Sequence, residues 1–245
     1  RGIGLTVLEG YGLTETTAPI LVNRLNKQKI GSVGLPFPGC SARIAEDGEI
    51  LLKGVNVFDR YHNSPAATAE ALRGGWFHTG DMGQLDNDGY LFITGRKKEL
   101  IVTAGGKNVA PAILEDRLRG HPLVSQVVVV GDGRPFIGAL VTLDEEMLPG
   151  WLANHGKPPM PLAQAREDPE VWASLERAVG RTNQAVSRAE SIRKFIILQS
   201  DFTELNGYLT PSLKVKRDQV LRDFAAQIDA LYSGDGRTVE AVPAT

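Results

Sequence analysis

Short alternating runs of apolar and polar residues, separated by turn residues, fill the chain up to about Thr94. Residues 40–45 and 49–53 alternate in this way on either side of Asp47-Gly48, a pair typical of a tight β-hairpin. Ser64-Pro65 begins a predicted helix that runs to Leu72, because serine is a good N-cap and proline fits the first helical turn. Further strands are predicted over residues 3–8, 76–79 and 90–94, the last two flanking a turn at residues 86–89. The pattern predicts a β-rich unit.

Beyond Arg96 the pattern changes, and strand-like runs alternate with segments of helical period. A long helix is predicted to begin at Asp168-Pro169-Glu170, within an insertion at residues 145–190. Its small and apolar residues recur every three or four positions and predict one buried stripe: Val171, Leu175, Ala178, Thr182, Ala185 and Ala189. The other predicted elements here are strands at residues 100–103, 125–130, 137–143 and 194–198 and a helix at 111–119. Short connections between them predict a small α+β domain.

The C-terminal end of the chain combines a last helix with a polar tail. The helix places apolar residues on one face at ordinary core spacing: Val220, Leu221, Phe224, Ile228 and Leu231. After Tyr232 the composition turns to Gly, Asp, Pro and Ala, which predicts a disordered tail over residues 233–245. The predicted organisation is a first unit over residues 1–96, a second over residues 97–232, and this tail.

Composition narrows the class of protein only moderately. With 245 residues, 42% of them hydrophobic, and a formal net charge of -2, the chain has room for one large or two modest globular domains, and nucleic-acid binding is not indicated. A single cysteine, Cys40, excludes an internal disulfide and favours a reducing, cytoplasmic location. The longest apolar runs are too short to span a bilayer, and the four histidines lack metal-ligand spacing, so no zinc site is expected.

Two separated motifs carry groups suited to a nucleotide. Tyr11 and Gly12 can offer an aromatic face and a closely approaching backbone to a purine, and Thr14 can donate to a phosphate oxygen. Glu15 is a candidate ligand of Mg²⁺, and capping of a helix start is its alternative role. Farther along, Asp81 in a Thr-Gly-Asp turn can accept two hydrogen bonds from a ribose diol. Arg96 can donate to ribose or phosphate. For both Asp81 and Arg96, the alternative role is a surface salt bridge.

In this order the motifs resemble those of the adenylate-forming superfamily, which includes acyl-CoA synthetases, luciferases and the adenylation domains of peptide synthetases. The similarity runs from about Leu8 to Tyr232. Residues 75–81, 93–111 and 209–217 are most similar to the bacterial long-chain fatty acyl-CoA synthetases. The resemblance implies an α/β (α+β) fold: the closing β-subdomain of a large N-terminal domain, followed by a small, mobile α+β C-terminal domain.

The same resemblance implies roles for residues of the second unit. Lys214 matches the lysine that supports adenylation, but Leu213 stands where the superfamily commonly has glycine, so Lys216 is an alternative. Gly105 and Gly106 match the glycines that admit the CoA thiol, and a tight turn between strands is their alternative. Lys98 matches the hinge about which the small domain rotates.

The implied activity is the ligation of a long-chain fatty acid to CoA, with ATP consumed to AMP and pyrophosphate and with Mg²⁺ required. A lysine-bearing, glycine-rich loop for the triphosphate is absent from the sequence, and the chain begins on Arg1 within a predicted strand. We therefore expect it to be the C-terminal portion of a longer enzyme, inactive alone and touching membranes only peripherally. The alternatives are a fatty acyl-AMP ligase, a peptide-synthetase adenylation domain and a non-catalytic nucleotide-binding module.

Overall fold

The computed structural model of the chain describes residues 4–234 and the short strand at residues 237–238. The chain divides into two compact units, a first unit over residues 1–99 and a second unit over residues 100–245. The division falls three residues after the predicted boundary at residue 96.

Two antiparallel sheets form the first unit. The smaller sheet has three two-residue strands: β1 (Gly10–Tyr11), β2 (Leu21–Val22) and β3 (Leu35–Pro36). The larger sheet is a four-stranded meander: β4 (Ser41–Ile44), β5 (Glu49–Lys53), β6 (Phe77–Leu85) and β7 (Leu91–Arg96). The remaining elements are helix α1 (Pro65–Ala71) and three 3₁₀ turns at Thr14–Thr16, Arg73–Gly75 and Lys97–Glu99.

The meander confirms the predicted hairpin and adds an irregularity that the pattern did not predict. Gly48 turns at φ +87°, a conformation that favours glycine, so β4 and β5 pair across Asp47-Gly48. Between β5 and β6 the register then shifts: Glu49 lies opposite Met82, but Leu51 lies opposite His78. One residue of β5 therefore faces three of β6, Thr79–Asp81, which we call the bulge.

The predicted first strand at residues 3–8 was wrong for the part that the structure describes. Residues 4–9 are irregular, and the first strand is β1. Leu5 and Val7 are mostly exposed, and no described strand pairs with this segment. An alternating sequence forms a strand only where a neighbouring strand supplies hydrogen-bond partners.

Helices and strands alternate along the second unit. The strands are β8 (Ile101–Val102), β9 (Asn108–Val109), β10 (Val124–Val130), β11 (Ile137–Leu143), β12 (Ile192–Ile197) and β13 (Arg237–Thr238). The helices are α2 (Pro111–Arg119), α3 (Leu148–Asn154), α4 (Leu162–Ala165), α5 (Pro169–Asn183), α6 (Arg217–Asp223) and α7 (Ala225–Ser233). β8 pairs with β9, and the main sheet has the order β10, β11, β12, β13 with β11 and β12 parallel.

The main sheet of the second unit is packed on both faces. One face and helices α2, α3 and α5 share a core that includes Leu118, Val127 and Leu175. The opposite face packs against the segment from Phe202 onwards and against α6 and α7. Every residue of β11 is buried, as expected for a strand covered on both faces. The predicted α+β class is confirmed for this unit.

Two helix predictions differ from the structure at their ends. In α5 the stripe is buried from Val171 to Thr182, but the helix ends at Asn183, and Ala185 and Ala189 are exposed. The Asn183 side chain there binds the backbone N–H and carbonyl of Ile192 and turns the chain towards β12. The last predicted helix is broken at Phe224, whose ring packs against Phe202 and Tyr208.

The predicted tail falls mainly outside the described residues. Ser233 still belongs to α7, and Arg237–Thr238 pairs with Lys194 and Phe195 as β13, where disorder was predicted. The free edge of β12 offers unpaired backbone groups, and these hold the two residues. Residues 235–236 and 239–245 lie outside the described residues, so the prediction of disorder there is not addressed. Among the residues the structure does describe, no helix has the length and hydropathy that a membrane crossing requires.

Candidate functional site

A cleft of about 810 Å³ opens in the first unit, and most of the motif residues lie on it. Its walls come from the segment after β1, from the start of β6 and from the end of β7. The lining includes several residues singled out in the sequence: Gly12, Thr14, Glu15, Thr79, Gly80, Arg96 and Lys98. Residues far apart in the sequence thus share one concave surface, the usual form of a small-molecule site.

Asp81 and Arg96 form an ion pair because of strand register, and Arg96 lines the cleft, whereas Asp81 is not itself a lining residue. They are directly opposite each other in the β6–β7 ladder, and Arg96 Nε lies 3.0 Å from Asp81 Oδ1. The Asp81 carboxylate is only 7% exposed, whereas the Arg96 side chain is 62% exposed and lines the cleft. An ionised carboxylate has about four acceptor positions, so Asp81 retains capacity for further donors. The alternative of a plain surface salt bridge does not fit a carboxylate buried to this degree.

Tyr11 differs from its predicted role as a stacking surface. Its side chain is buried in the core of the first unit, and its hydroxyl donates to Asp81 Oδ2. Burial and this hydrogen bond raise the pKa of Tyr11 well above its ordinary value, so the phenol stays protonated and remains a donor. Tyr11 therefore orients Asp81, and it does not offer its ring face to the cleft. An aromatic beside glycine in the sequence could not show which way its ring would turn.

The loop after β1 is held tightly by backbone contacts. A Cβ on Gly12 would lie 2.4 Å from the Ala18 carbonyl oxygen, so only glycine permits this close approach. The Thr16 hydroxyl accepts from the Leu13 N–H, and its single proton lies within hydrogen-bond distance of both the Leu13 and the Ala18 carbonyls. Thr14 is exposed on the cleft, and its hydroxyl has no partner among the described residues. It is therefore free to donate to a bound phosphate oxygen.

Glu15 faces the cleft and is held by a residue that the sequence did not indicate. Tyr61 donates its hydroxyl to Glu15 Oε1 at 2.7 Å, and both side chains line the cleft. Burial and the neighbouring carboxylate raise the pKa of Tyr61 to about 12. The capping role considered for Glu15 falls instead to Thr16, which bonds back to Leu13. Tyr61 escaped sequence analysis because it is an ordinary aromatic in a turn-rich stretch.

The donor set of the cleft fits a magnesium nucleotide. Within the part of the chain that the structure describes, no three His, Cys, Asp or Glu side chains gather as a metal-binding group. A single carboxylate such as Glu15 suits Mg²⁺, which keeps several waters and is otherwise held by substrate phosphates. Arg96 and Lys98 add two cations on the same surface.

Lys214 lies in a tight turn of the second unit. Its backbone N–H bonds to Thr210 Oγ1 and its carbonyl accepts from the Thr210 N–H, which fixes the turn at both ends. Lys216 begins α6 as its N-cap residue. Both lysines are exposed, and neither ammonium group has a hydrogen-bond or ion-pair partner among the described residues. The geometry of this chain leaves both available to a substrate.

An ion pair between half-buried Arg217 and a buried carboxylate anchors the end of this lysine segment. Arg217 binds the Glu115 carboxylate of α2, and its other guanidinium nitrogen donates to the Val129 carbonyl at 2.9 Å. Glu115 also accepts from the Val129 N–H at 2.7 Å, so both backbone groups of one β10 residue are satisfied. Sequence analysis missed this pair. The available signal was the position of Glu115 within the apolar stripe of α2, beside Leu114 and Leu118.

Gly105 and Gly106 form the turn between β8 and β9. Gly106 has φ +76° and donates its N–H to the Thr103 carbonyl, so it meets the requirements of a tight turn. Both glycines are exposed, and nothing lies within 4 Å of a Cβ on Gly106. Lys98 lies in the 3₁₀ turn at Lys97–Glu99 that ends the first unit.

Comparison with protein families identifies the class. Residues 1–62 match the model of the AMP-binding enzyme, and residues 98–236 match the AMP-binding enzyme C-terminal domain. Since the second match alone spans more than half of the chain, the chain belongs to the AMP-binding, adenylate-forming enzymes.

Individual relatives that match this chain include long-chain-fatty-acid–CoA ligases. A long-chain-fatty-acid–CoA ligase, FadD15 of Mycobacterium bovis, is 56% identical over 234 residues, covering 95% of this chain and 39% of that protein. The human long-chain-fatty-acid–CoA ligase ACSBG1 is 35% identical over 255 residues, covering 94% of this chain and 35% of that protein. The chain thus spans about two fifths or less of the length of these relatives.

Solved structures of other adenylate-forming enzymes share the fold. O-succinylbenzoate CoA synthetase from Bacillus subtilis, in complex with ATP and magnesium, superposes with a TM-score of 0.62 at 28% identity, over 86% of this chain and 40% of that chain. ATP-bound MatB from Rhodopseudomonas palustris gives 0.65 at 27% identity, over 90% and 41%.

Proposed function

We propose that this chain is the C-terminal portion of an ATP-dependent, AMP-forming long-chain fatty acid–CoA ligase. The observation that carries the proposal is the ion pair between buried Asp81 and Arg96, whose side chain lines a cleft that also presents Thr14, Glu15 and Lys98. The similarity to a long-chain-fatty-acid–CoA ligase over 95% of the chain supports the fatty acid as substrate.

Different residues of this site are assigned to different parts of the nucleotide. Asp81, held by Tyr11, accepts hydrogen bonds from the ribose hydroxyls, and Arg96 donates to ribose or phosphate. Thr14 donates to a phosphate oxygen, while Gly12 lets the loop that carries Thr14 pack closely against the Ala18 backbone. Bound at Glu15, Mg²⁺ would neutralise phosphate charge and orient the triphosphate.

Two half-reactions follow. The fatty acid carboxylate attacks the α-phosphorus of ATP, which releases pyrophosphate and leaves an acyl-adenylate. The CoA thiolate then attacks the acyl carbonyl carbon, and AMP leaves. The Lys214 ammonium offsets the repulsion between carboxylate and phosphate oxygens in the first step. In the second, the Gly105-Gly106 turn supplies backbone without a Cβ next to the pantetheine arm.

The experiment that tests this function is product analysis by mass spectrometry. The full-length polypeptide proposed to contain this chain is given ATP, Mg²⁺ and mixed fatty acids, with and without CoA, and the 245-residue chain is assayed in parallel. The expected result is acyl-CoA and AMP from the full-length polypeptide and neither product from the 245-residue chain. Acyl-adenylate that persists in the presence of CoA would identify a fatty acyl-AMP ligase instead, and turnover by the isolated chain would refute the proposal that it is a portion.

A further inference from the structure

Two side chains hold the bulge in β6. A bulge removes backbone groups from the strand ladder, so they need other partners. The Thr79 hydroxyl donates to the Ile50 carbonyl at 2.8 Å and accepts from the Asp81 N–H at 3.0 Å. The Gly80 N–H donates to Glu49 Oε1 at 3.0 Å. The backbone at Gly80 has φ +72° and directs this N–H back at β5.

Glu49 is a buried carboxylate with three basic side chains as neighbours. Only 4% of the residue is exposed, although it follows directly on the hairpin turn at Asp47-Gly48. Its second oxygen, Oε2, lies 3.0 Å from Lys97 Nζ, 3.2 Å from His78 Nδ1 and 3.7 Å from Arg73 Nη2. Burial alone would raise the pKa of Glu49, but Lys97, His78 and the Gly80 N–H lower it below its ordinary value. The carboxylate is therefore ionised at neutral pH.

Glu49 contacts the residues that are adjacent in sequence to Asp81 and to Arg96. Gly80 directly precedes Asp81, and Lys97 directly follows Arg96. Glu49 does not line the cleft itself, whereas Gly80 and Arg96 do. One carboxylate on β5 thus fixes the backbone of β6 before Asp81 and the side chain of the residue that follows Arg96.

We propose that Glu49 is the positioning residue of this cleft: its carboxylate fixes the bulge and Lys97, and so sets the Asp81–Arg96 pair in the geometry that receives the ribose of an adenine nucleotide. The inference rests on the proposed function, since it assigns a nucleotide to the cleft. Glu49 acts through Gly80 and Lys97 and makes no contact with the ligand.

Three variants of the 245-residue chain separate positioning from plain stabilisation. Glu49→Ala removes both the Gly80 and the Lys97 contacts. Glu49→Gln keeps an oxygen that can accept from the Gly80 N–H but loses the charge. Asp47→Asn is the matched control: Asp47 also binds Lys97, at 2.6 Å, and its Oδ1 accepts from the Glu49 N–H, a bond that the asparagine oxygen can keep, while no hydrogen bond joins it to the bulge.

Each variant is titrated with AMP by calorimetry, and the melting temperature and the NMR signal of the Arg96 side-chain Nε–H are recorded alongside. We expect Glu49→Ala to weaken AMP binding about tenfold, since residues that orient a ligand-binding group typically contribute this much. Glu49→Gln should recover part of the affinity, and Asp47→Asn should leave it unchanged. The Arg96 signal should shift in Glu49→Ala and stay in place in Asp47→Asn.

The outcomes distinguish this inference from the proposed function. Unchanged AMP affinity and an unchanged Arg96 signal in folded Glu49→Gln and Glu49→Ala would overturn it, even if their melting temperatures fell. If the unsubstituted chain does not bind AMP, the nucleotide assignment fails, and positioning is then judged on the Arg96 signal alone. A shift of the Arg96 signal in Glu49→Ala that is absent from Asp47→Asn supports the positioning role of Glu49. An unshifted Arg96 signal in Glu49→Ala refutes that role.

Discussion

Leu213 adopts a backbone conformation that usually belongs to glycine. Its φ is +58°, and its side chain is 69% exposed, so little packing offsets the steric cost of that conformation. This explains in physical terms why glycine is common at the position in the superfamily: the turn at residues 210–214 needs a left-handed residue just before Lys214. In this chain the residue that adopts the strained conformation is a leucine.

Replacing Leu213 by glycine should therefore stabilise the second unit. We expect Leu213→Gly to raise its free energy of unfolding by about 1 kcal/mol, because the strain of a branched residue at positive φ is removed and few contacts are lost. Urea denaturation followed by circular dichroism measures the change. Leu205→Gly is the control: Leu205 is fully exposed but is not among the residues with positive φ. A loss of stability in Leu213→Gly as large as in Leu205→Gly would contradict the strain.

The two candidate lysines can be separated by half-reaction. In the full-length polypeptide, Lys214→Ala should reduce acyl-adenylate formation at least about 100-fold, since one charged group that stabilises a transition state is typically worth that much. Thioester formation from supplied acyl-adenylate should be largely spared. Lys216→Ala should leave both rates near those of the unsubstituted enzyme. If Lys216→Ala shows the adenylation defect instead, the assignment passes to Lys216, and equal loss of both steps in Lys214→Ala would refute its role.

At the scale of elements, the sequence predicts those features that depend on residues close together in the chain. The β4–β5 hairpin followed from Asp47-Gly48, and the start of α5 followed from Asp168, whose side chain caps the Glu170 and Val171 N–H groups. The bulge in β6 was not predictable, because it depends on Glu49 bonding to Gly80 across the sheet. The motifs singled out Asp81 and Arg96, which the structure pairs with each other, and their binding roles stay predictions; the burial of Tyr11 depends on tertiary packing that the sequence did not reveal.

The ion pair between Glu115 of α2 and Arg217 of α6 is expected to contribute strongly to the free energy of unfolding. Arg217→Met should lower the free energy of unfolding of the second unit by about 3 kcal/mol, because it leaves the Glu115 charge buried without its cation. Denaturation of the variant and of Arg119→Met, which loses only the exposed pair with Asp116, gives the comparison. Adding Glu115→Gln to Arg217→Met should restore part of the loss. Equal, small losses in Arg217→Met and Arg119→Met would show that the buried pair contributes little.

At the scale of the whole molecule, the first unit should be sensitive to acid. The pKa of Glu49 lies below its ordinary value of 4.5 in the folded state, so its contribution to stability is present above that pH and is lost as the pH falls through the folded value. Amide hydrogen exchange of peptides from β5 and β6, compared between the unsubstituted chain and Glu49→Gln at each pH, measures this. The two proteins should differ most near neutral pH and converge as the pH falls through the lowered pKa of Glu49 in the folded state. A difference that stays constant with pH would contradict the linkage.

Family membership, the cleft and the buried Asp81 together make nucleotide binding the central claim for this chain. The structure divides into two units, and the groups assigned to the ribose, Asp81 and Arg96, belong to the first, so a ligand that carries the ribose tests them directly. AMP is the suitable probe, because it carries the ribose without needing the triphosphate loop that the sequence lacks.

The most direct measurement is a calorimetric titration of the 245-residue chain with AMP, alongside Asp81→Asn and Asp86→Asn. Asp86 belongs to the β6–β7 turn, where it pairs with Lys29, and it does not line the cleft. We predict saturable binding that Asp81→Asn weakens by about tenfold or more, since hydrogen bonds to a charged acceptor are lost, and that Asp86→Asn leaves unchanged. Binding that is absent from the unsubstituted chain, or that Asp81→Asn leaves intact, would contradict the assignment of this cleft to the nucleotide.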